Sequence, residues 1–116
     1  MHQTNKMKKI LVIEDDNQIR ENVAEILTLS GYEVITAENG KRGIERSLSE
    51  LPDLILCDVT MPDLDGYGTL AILNKYPQTA GIPFIYLTAK AEREDFRKGI
   101  HFSRLTPSST FLRMAA

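Results

Sequence analysis

Three places in this 116-residue chain put an oxygen-bearing side chain directly after a short apolar run. Glu14 and Asp15 follow Ile10-Leu11-Val12-Ile13. Asp58 follows Leu54-Ile55-Leu56-Cys57. Thr88 follows Phe84-Ile85-Tyr86-Leu87. Carboxylates held close together repel one another. A divalent cation relieves the repulsion, and hard oxygen ligands with retained waters suit Mg2+. A metal beside a carboxylate can also neutralise a phosphoryl group in transit and leave the carboxylate as nucleophile. That chemistry is open to Glu14, Asp15 and Asp58 if the fold gathers them.

The elements that would gather them are legible in the pattern. Apolar runs of four or five residues, bounded by turn residues, read as strands buried on both faces, as in a covered parallel sheet. Strand 1 covers Lys8 to Ile13, and Asp16 or Asn17 is placed to cap the helix after it. Ile19, Val23, Ile26 and Leu27 give that helix one apolar face, and Gly31 supplies a left-handed stop. Tyr32 to Ala37 is a weaker strand, nearer the sheet edge. Asn39-Gly40 turns the chain into a second helix, marked by Ile44, Leu48 and Leu51 and stopped by Pro52. The strand Leu54–Asp58 and its loop lead to a third helix, marked by Leu70, Ile72 and Leu73 and ending near Tyr76-Pro77. Phe84 to Thr88 is strand 4. A fourth helix is expected in the charged stretch 89–99, with Phe96 and Ile100 on its sparse apolar face. The alternation predicts a doubly wound α/β fold with strand order 2-1-3-4. Strands 1 and 3 are then neighbours at the switch point, where ligands of such sheets sit.

Composition narrows the function classes. A chain of this length is expected to form one domain. A net charge of −2 provides no basic field for nucleic acid or an anionic membrane. No apolar run reaches the length of a membrane span, and residues 1–7 read as a polar lead-in without a signal peptide's apolar core. The single cysteine, Cys57, lies inside an apolar run, so it reads as a buried thiol. A reducing cytoplasm is the expected setting.

Three segments, taken in order, resemble the receiver domain of bacterial two-component response regulators: Leu11-Val12-Ile13-Glu14-Asp15-Asp16, Leu56-Cys57-Asp58-Val59-Thr60-Met61-Pro62-Asp63-Leu64-Asp65-Gly66, and Ile82-Pro83-Phe84-Ile85-Tyr86-Leu87-Thr88-Ala89. The resemblance covers about residues 8–100. It implies a flavodoxin-like fold and a signalling switch, not an enzyme. By position, Asp58 is the phosphoacceptor. Glu14 and Asp15 are the acidic pair that holds Mg2+ with Asp58, and the Thr60 backbone carbonyl completes the metal site. Thr88 is the switch hydroxyl, with the Ala89 amide beside it. The implied partners are a histidine kinase or phosphotransfer protein, or a small donor such as acetyl phosphate.

The resemblance fails after about residue 101. The family's strand-5 lysine has no counterpart: downstream of Thr88 the lysines are Lys90 and Lys98, and Thr110-Phe111 stand near the expected distance. The segment 101–116 contains Pro107 and a Ser/Thr cluster and shows no clear fifth strand or fifth helix. A shifted reading frame or a truncation would leave such a tail. Strand 4 would then be an exposed edge. Either Phe111-Leu112-Arg113-Met114 forms a makeshift strand, or two copies associate through the edge or exchange tails. Association is the expectation, and phosphorylation is expected to be impaired.

Blander readings stand beside these. Glu14-Asp15 could be a helix cap, Asp58 a turn residue and Thr88 an ordinary strand end. Tyr67, Tyr86 and Phe96 are assigned to packing. A receiver-derived interaction protein is the main alternative. Asp63-Leu64-Asp65-Gly66 resembles the motif of haloacid dehalogenase-type phosphohydrolases, but that motif should end an apolar strand, whereas Thr60-Met61-Pro62 precedes it here. It fails as a calcium loop because its twelfth position is Asn74.

Overall fold

The computed structural model describes residues 6–87 and the backbone of Leu112–Ala115. The elements are β1 (Lys9–Ile13), α1 (Asn17–Leu29), β2 (Glu33–Ala37), α2 (Gly40–Glu50), β3 (Leu54–Asp58), α3 (Gly66–Leu73), α4 (Pro77–Ala80), β4 (Phe84–Leu87) and β5 (Leu112–Ala115). They build one sheet in the order β2-β1-β3-β4-β5. The first four strands are parallel, in the predicted order. β1 and β3 are buried along nearly their whole length, which is why they read as unbroken apolar runs.

Local chemistry fixes the helix ends. Asp16, not Asn17, caps α1 by accepting the Ile19 N–H at 3.0 Å. Asn39 and Asp65 cap α2 and α3 in the same way. Gly31 follows α1 at φ +100°, the left-handed stop expected of it. α2 ends on Leu51, itself left-handed at φ 46° just before Pro52. Leu51 therefore leaves the apolar face predicted for it and is exposed. α3 stops at Leu73, and Pro77 opens the short helix α4 instead of closing α3.

The two sides of the sheet are packed differently. Toward α2 and α3, Leu11, Ile13, Ile55, Cys57 and Phe84 form the centre of a buried cluster, joined by Met61 and Leu73. Toward α1, the buried cluster is Ile10, Val12 and Leu56, flanked by half-buried Val23, Leu27 and Ile85, and Ile19 is the buried residue of the helix itself. Ile26, predicted to face the core, is 63% exposed, because α1 lies over β1 and β2 and its outer side meets solvent.

β5 pairs antiparallel with β4, with Leu112 opposite Leu87 and Ala115 opposite Phe84. The edge of β4 is thus covered from within the chain, the first of the two routes set out above and not the one favoured there. Thr88, Ala89, the helix expected over 89–99, the lead-in 1–5 and the segment 101–111 lie outside the described residues.

Candidate phosphoryl and metal site

Sheet register brings the carboxylates together. Ile13 pairs with Cys57, so the next residue on each strand, Glu14 and Asp58, lies level at the carboxyl end of the sheet. The Glu14 N–H donates to the Ala37 carbonyl, which ties the end of β1 to β2. Glu14 is fully buried and Asp58 nearly so, while Asp15 is half-buried. One ligand oxygen from each of Glu14, Asp15 and Asp58 lies within 4.8 Å of the others. A capping role alone would leave carboxylates at the surface. Here Asp16 takes the cap, and Glu14 Oε2 accepts the Asp16 N–H at 3.0 Å.

The loop after β3 is tightly made. The Gly66 N–H donates to the Val59 carbonyl and the Leu64 N–H to that of Pro62, both at 2.8 Å. A Cβ on Gly66 would stand 2.5 Å from the Asp58 carbonyl oxygen, a backbone atom that cannot step aside. Glycine is thus what lets α3 begin directly against the strand end. Thr60 lies in this loop, two residues past β3. Asp63 holds a left-handed φ of 69°, and Asp65 caps α3, so the two acids of the phosphohydrolase-like motif serve the turn and the helix.

Cys57 is buried, and its thiol donates to the Asp58 carbonyl at 3.3 Å. Burial, assisted by the charge of Asp58, pushes its pKa far up, so it stays a thiol. Tyr67 and Tyr86 meet edge to face at 5.0 Å, and Tyr86 meets Phe84 at 5.5 Å, the packing role expected of them. A cavity of about 470 Å³ lies beside the site, between Glu38–Arg42 and Pro62–Leu64, and none of the three clustered carboxylates lines it.

Sequence reasoning did not single out Arg20. Its Nη1 donates to the Glu14 carbonyl at 2.7 Å and its Nη2 to Asn17 Oδ1. An arginine seven residues past a strand end carries no motif of its own, and its target is a backbone atom.

The sequence matches a family described as the response regulator receiver domain over residues 10–103. It is 44% identical over 88 residues to a probable transcriptional regulator, ycf27, of Porphyra purpurea, covering 76% of this chain and 35% of that protein. It is 34% identical to protein PilH of Pseudomonas aeruginosa, covering 77% of this chain and 74% of that one. The chain spans about a third of the length of the ycf27 regulators it matches. Among solved structures, it superposes on the N-terminal domain of a response regulator receiver protein from Methanoculleus marisnigri with a TM-score of 0.70 and 33% identity, over 83% of this chain and 81% of that one. It also superposes on the receiver domain of a sensor histidine kinase of Pseudomonas aeruginosa, solved with a magnesium ion in its active-site cleft. There the TM-score is 0.69 and the identity 27%, over 79% of this chain and 75% of that one. Among the described residues, no helix is long and apolar enough to cross a membrane.

Proposed function

The chain belongs to the response regulator receiver domain family, and on that premise we propose that it is a phosphoacceptor switch that takes a phosphoryl group onto Asp58. The observation that carries this reading is the convergence of Glu14, Asp15 and Asp58 within 4.8 Å, with two of the three carboxylates buried. Buried like charges at such separation are costly unless something offsets them. The donor set is all oxygen, which fits Mg2+. Glu14, Asp15, Asp58 and the Thr60 carbonyl are the groups proposed to hold it. The ion, when bound, supplies positive charge against the phosphoryl oxygens.

The rest falls to the chain. An Asp58 carboxylate oxygen forms the bond to phosphorus as the donor's P–N or P–O bond breaks. The leaving imidazole or carboxylate keeps the electron pair, and the product is an aspartyl phosphate. Thr88 is the proposed hydroxyl donor to the new phosphoryl group, with the Ala89 amide beside it. A histidine kinase or phosphotransfer protein is the proposed source of the group, and a shifted conformational equilibrium the proposed output.

Incubation with acetyl phosphate and Mg2+ tests this reading. Acid-stable, base-labile label on the wild-type chain, lost in Asp58→Asn and retained in Asp63→Asn, is the expected result. Undiminished labelling of Asp58→Asn would move the site elsewhere.

A second reading, an interaction protein with weakened phosphorylation, draws on the direction of β5. Its start, not its end, lies beside Leu87, and Leu112–Ala115 contains no lysine. Labelling far slower than that of a receiver with the strand-5 lysine, together with a mass that grows with concentration, would favour it.

A further inference from the structure

We infer that Arg20 is a positioning residue for the cation site, acting through the backbone of Glu14. This inference rests on the metal reading given above. Arg20 is the fourth residue of α1, at the close of its first turn, and is half-buried. Its guanidinium spans the β1–α1 loop: one nitrogen donates to the Glu14 carbonyl at 2.7 Å, the other to the Asn17 side chain. The same loop is held at two more points, by the Asp16 N–H on Glu14 Oε2 and by the Arg20 N–H on the Asp16 carbonyl. Glu14 is therefore fixed at both ends, its side chain by Asp16 and its carbonyl by Arg20. Asp15, the next residue, shares a peptide unit with that carbonyl. Rotating this peptide would turn Asp15 away from Asp58. A planar fork with several donors suits such a bridge, whereas an ammonium offers only a point charge.

Two effects of Arg20 on a cation have opposite sign. Its charge alone repels Mg2+. Its bridge keeps two carboxylates aimed at one point, and outer groups that orient metal ligands typically change affinity by about 10–100-fold. The direction of the change on substitution therefore decides between charge and positioning.

The test is calorimetric titration of the full chain with Mg2+, well below the thermal midpoint, at two ionic strengths. Arg20→Met should weaken binding by roughly tenfold, at the lower end of that range. Arg20→Lys, which keeps the charge but not the fork, should recover only part of the loss. Asn17→Ala, which removes the second anchor and leaves the guanidinium, should shift affinity in the same direction by less. This variant also serves if Arg20→Met fails to fold. Unchanged or tighter binding by Arg20→Met, or by Asn17→Ala in its place, overturns the inference. A wild-type chain that binds no Mg2+ removes the metal reading and this inference together. Wild-type binding that Arg20→Met leaves intact removes only the inference.

Discussion

The two faces of the sheet differ in how completely they are closed. On the side of α2 and α3, Leu11, Ile13, Ile55, Cys57, Phe84 and Tyr86 are all buried and roofed by Met61 and Leu73. On the side of α1, among the described residues, the buried cluster is Ile10, Val12 and Leu56, with Ile19 of α1 and Leu87 also buried, while Leu54 and Ile85 stay half-buried. Alternation along β3 gives Asp58 to the second side, with Leu54 and Leu56. The Asp58 carboxylate thus has dense packing behind it, across the sheet, and lighter packing on its own side. A site arranged this way draws its rigidity from residues that never touch it.

The comparison can be broken most directly through the core. Phe84→Ala should lower unfolding free energy by about 3–5 kcal/mol in denaturant titration, and Ile85→Ala by less than half as much. Equal losses would mean that the two faces are equally closed. The next effect concerns the join between the loop and the strand. Gly66→Ala should cost about 1–3 kcal/mol and also slow labelling of Asp58, since the added methyl must displace the strand end. Gly81→Ala, where a Cβ meets nothing within 4 Å, serves as the neutral control.

Metal sharpens the contrast between the faces. At ten times its dissociation constant, Mg2+ should raise wild-type stability by about 1.4 kcal/mol through linkage. Asp58→Asn should lose most of that gain, yet start from a higher thermal midpoint in chelator, because one buried charge is gone. Asp65→Ala, which removes the α3 cap, should cost about 1 kcal/mol with little change in Mg2+ affinity.

The smallest effect lies at the opposite pole of the sheet, at the Lys9–Glu50 pair, 3.0 Å apart and solvent-accessible. The hydrogen bond from Lys9 holds Glu50 below its ordinary 4.5. The same bond raises Lys9 above 10.5. The contribution of Glu50 is therefore present above pH 4.5 and fades as pH falls through its lowered value; that of Lys9 is present below pH 10.5 and fades as pH rises through its raised value. Glu50→Gln should lower the middle of the stability–pH curve slightly and leave the acid and alkaline extremes unchanged, the small size of the drop being that expected of an exposed pair.

Much of this was legible in the sequence because it depends on short-range pattern. Apolar runs ending in Glu14 and Asp58 mark buried strands whose ends gather the carboxylates, and alternation with helices gives their order. What was not legible depends on tertiary geometry. Ile26 has the right spacing for a core residue, but it falls on the side of α1 that meets solvent. The strand Leu112–Ala115 was open only as one of two routes, since it is short and lacks flanking signals, and no local pattern encodes its antiparallel direction. Arg20 escaped notice because arginine at a helix surface is usually solvated, and only the closeness of the Glu14 carbonyl gives it a role.

The pairing of Ile13 with Cys57 makes the site sensitive to chain length in a way that it is not to side-chain identity. Exchanging one apolar residue for another in β3 alters packing by degrees. Inserting a single residue between Leu56 and Cys57 would instead turn every later side chain of the strand over. The inserted residue would take the place beside Ile13 and Tyr86, Cys57 would stand opposite Glu14, and Asp58 would be pushed past the strand end to where Val59 now lies. Substitutions along this strand can accumulate gradually. A change of one in its length leaves no functional intermediate, so length variation in descendants of this chain is expected in the loops and not between Leu54 and Asp58.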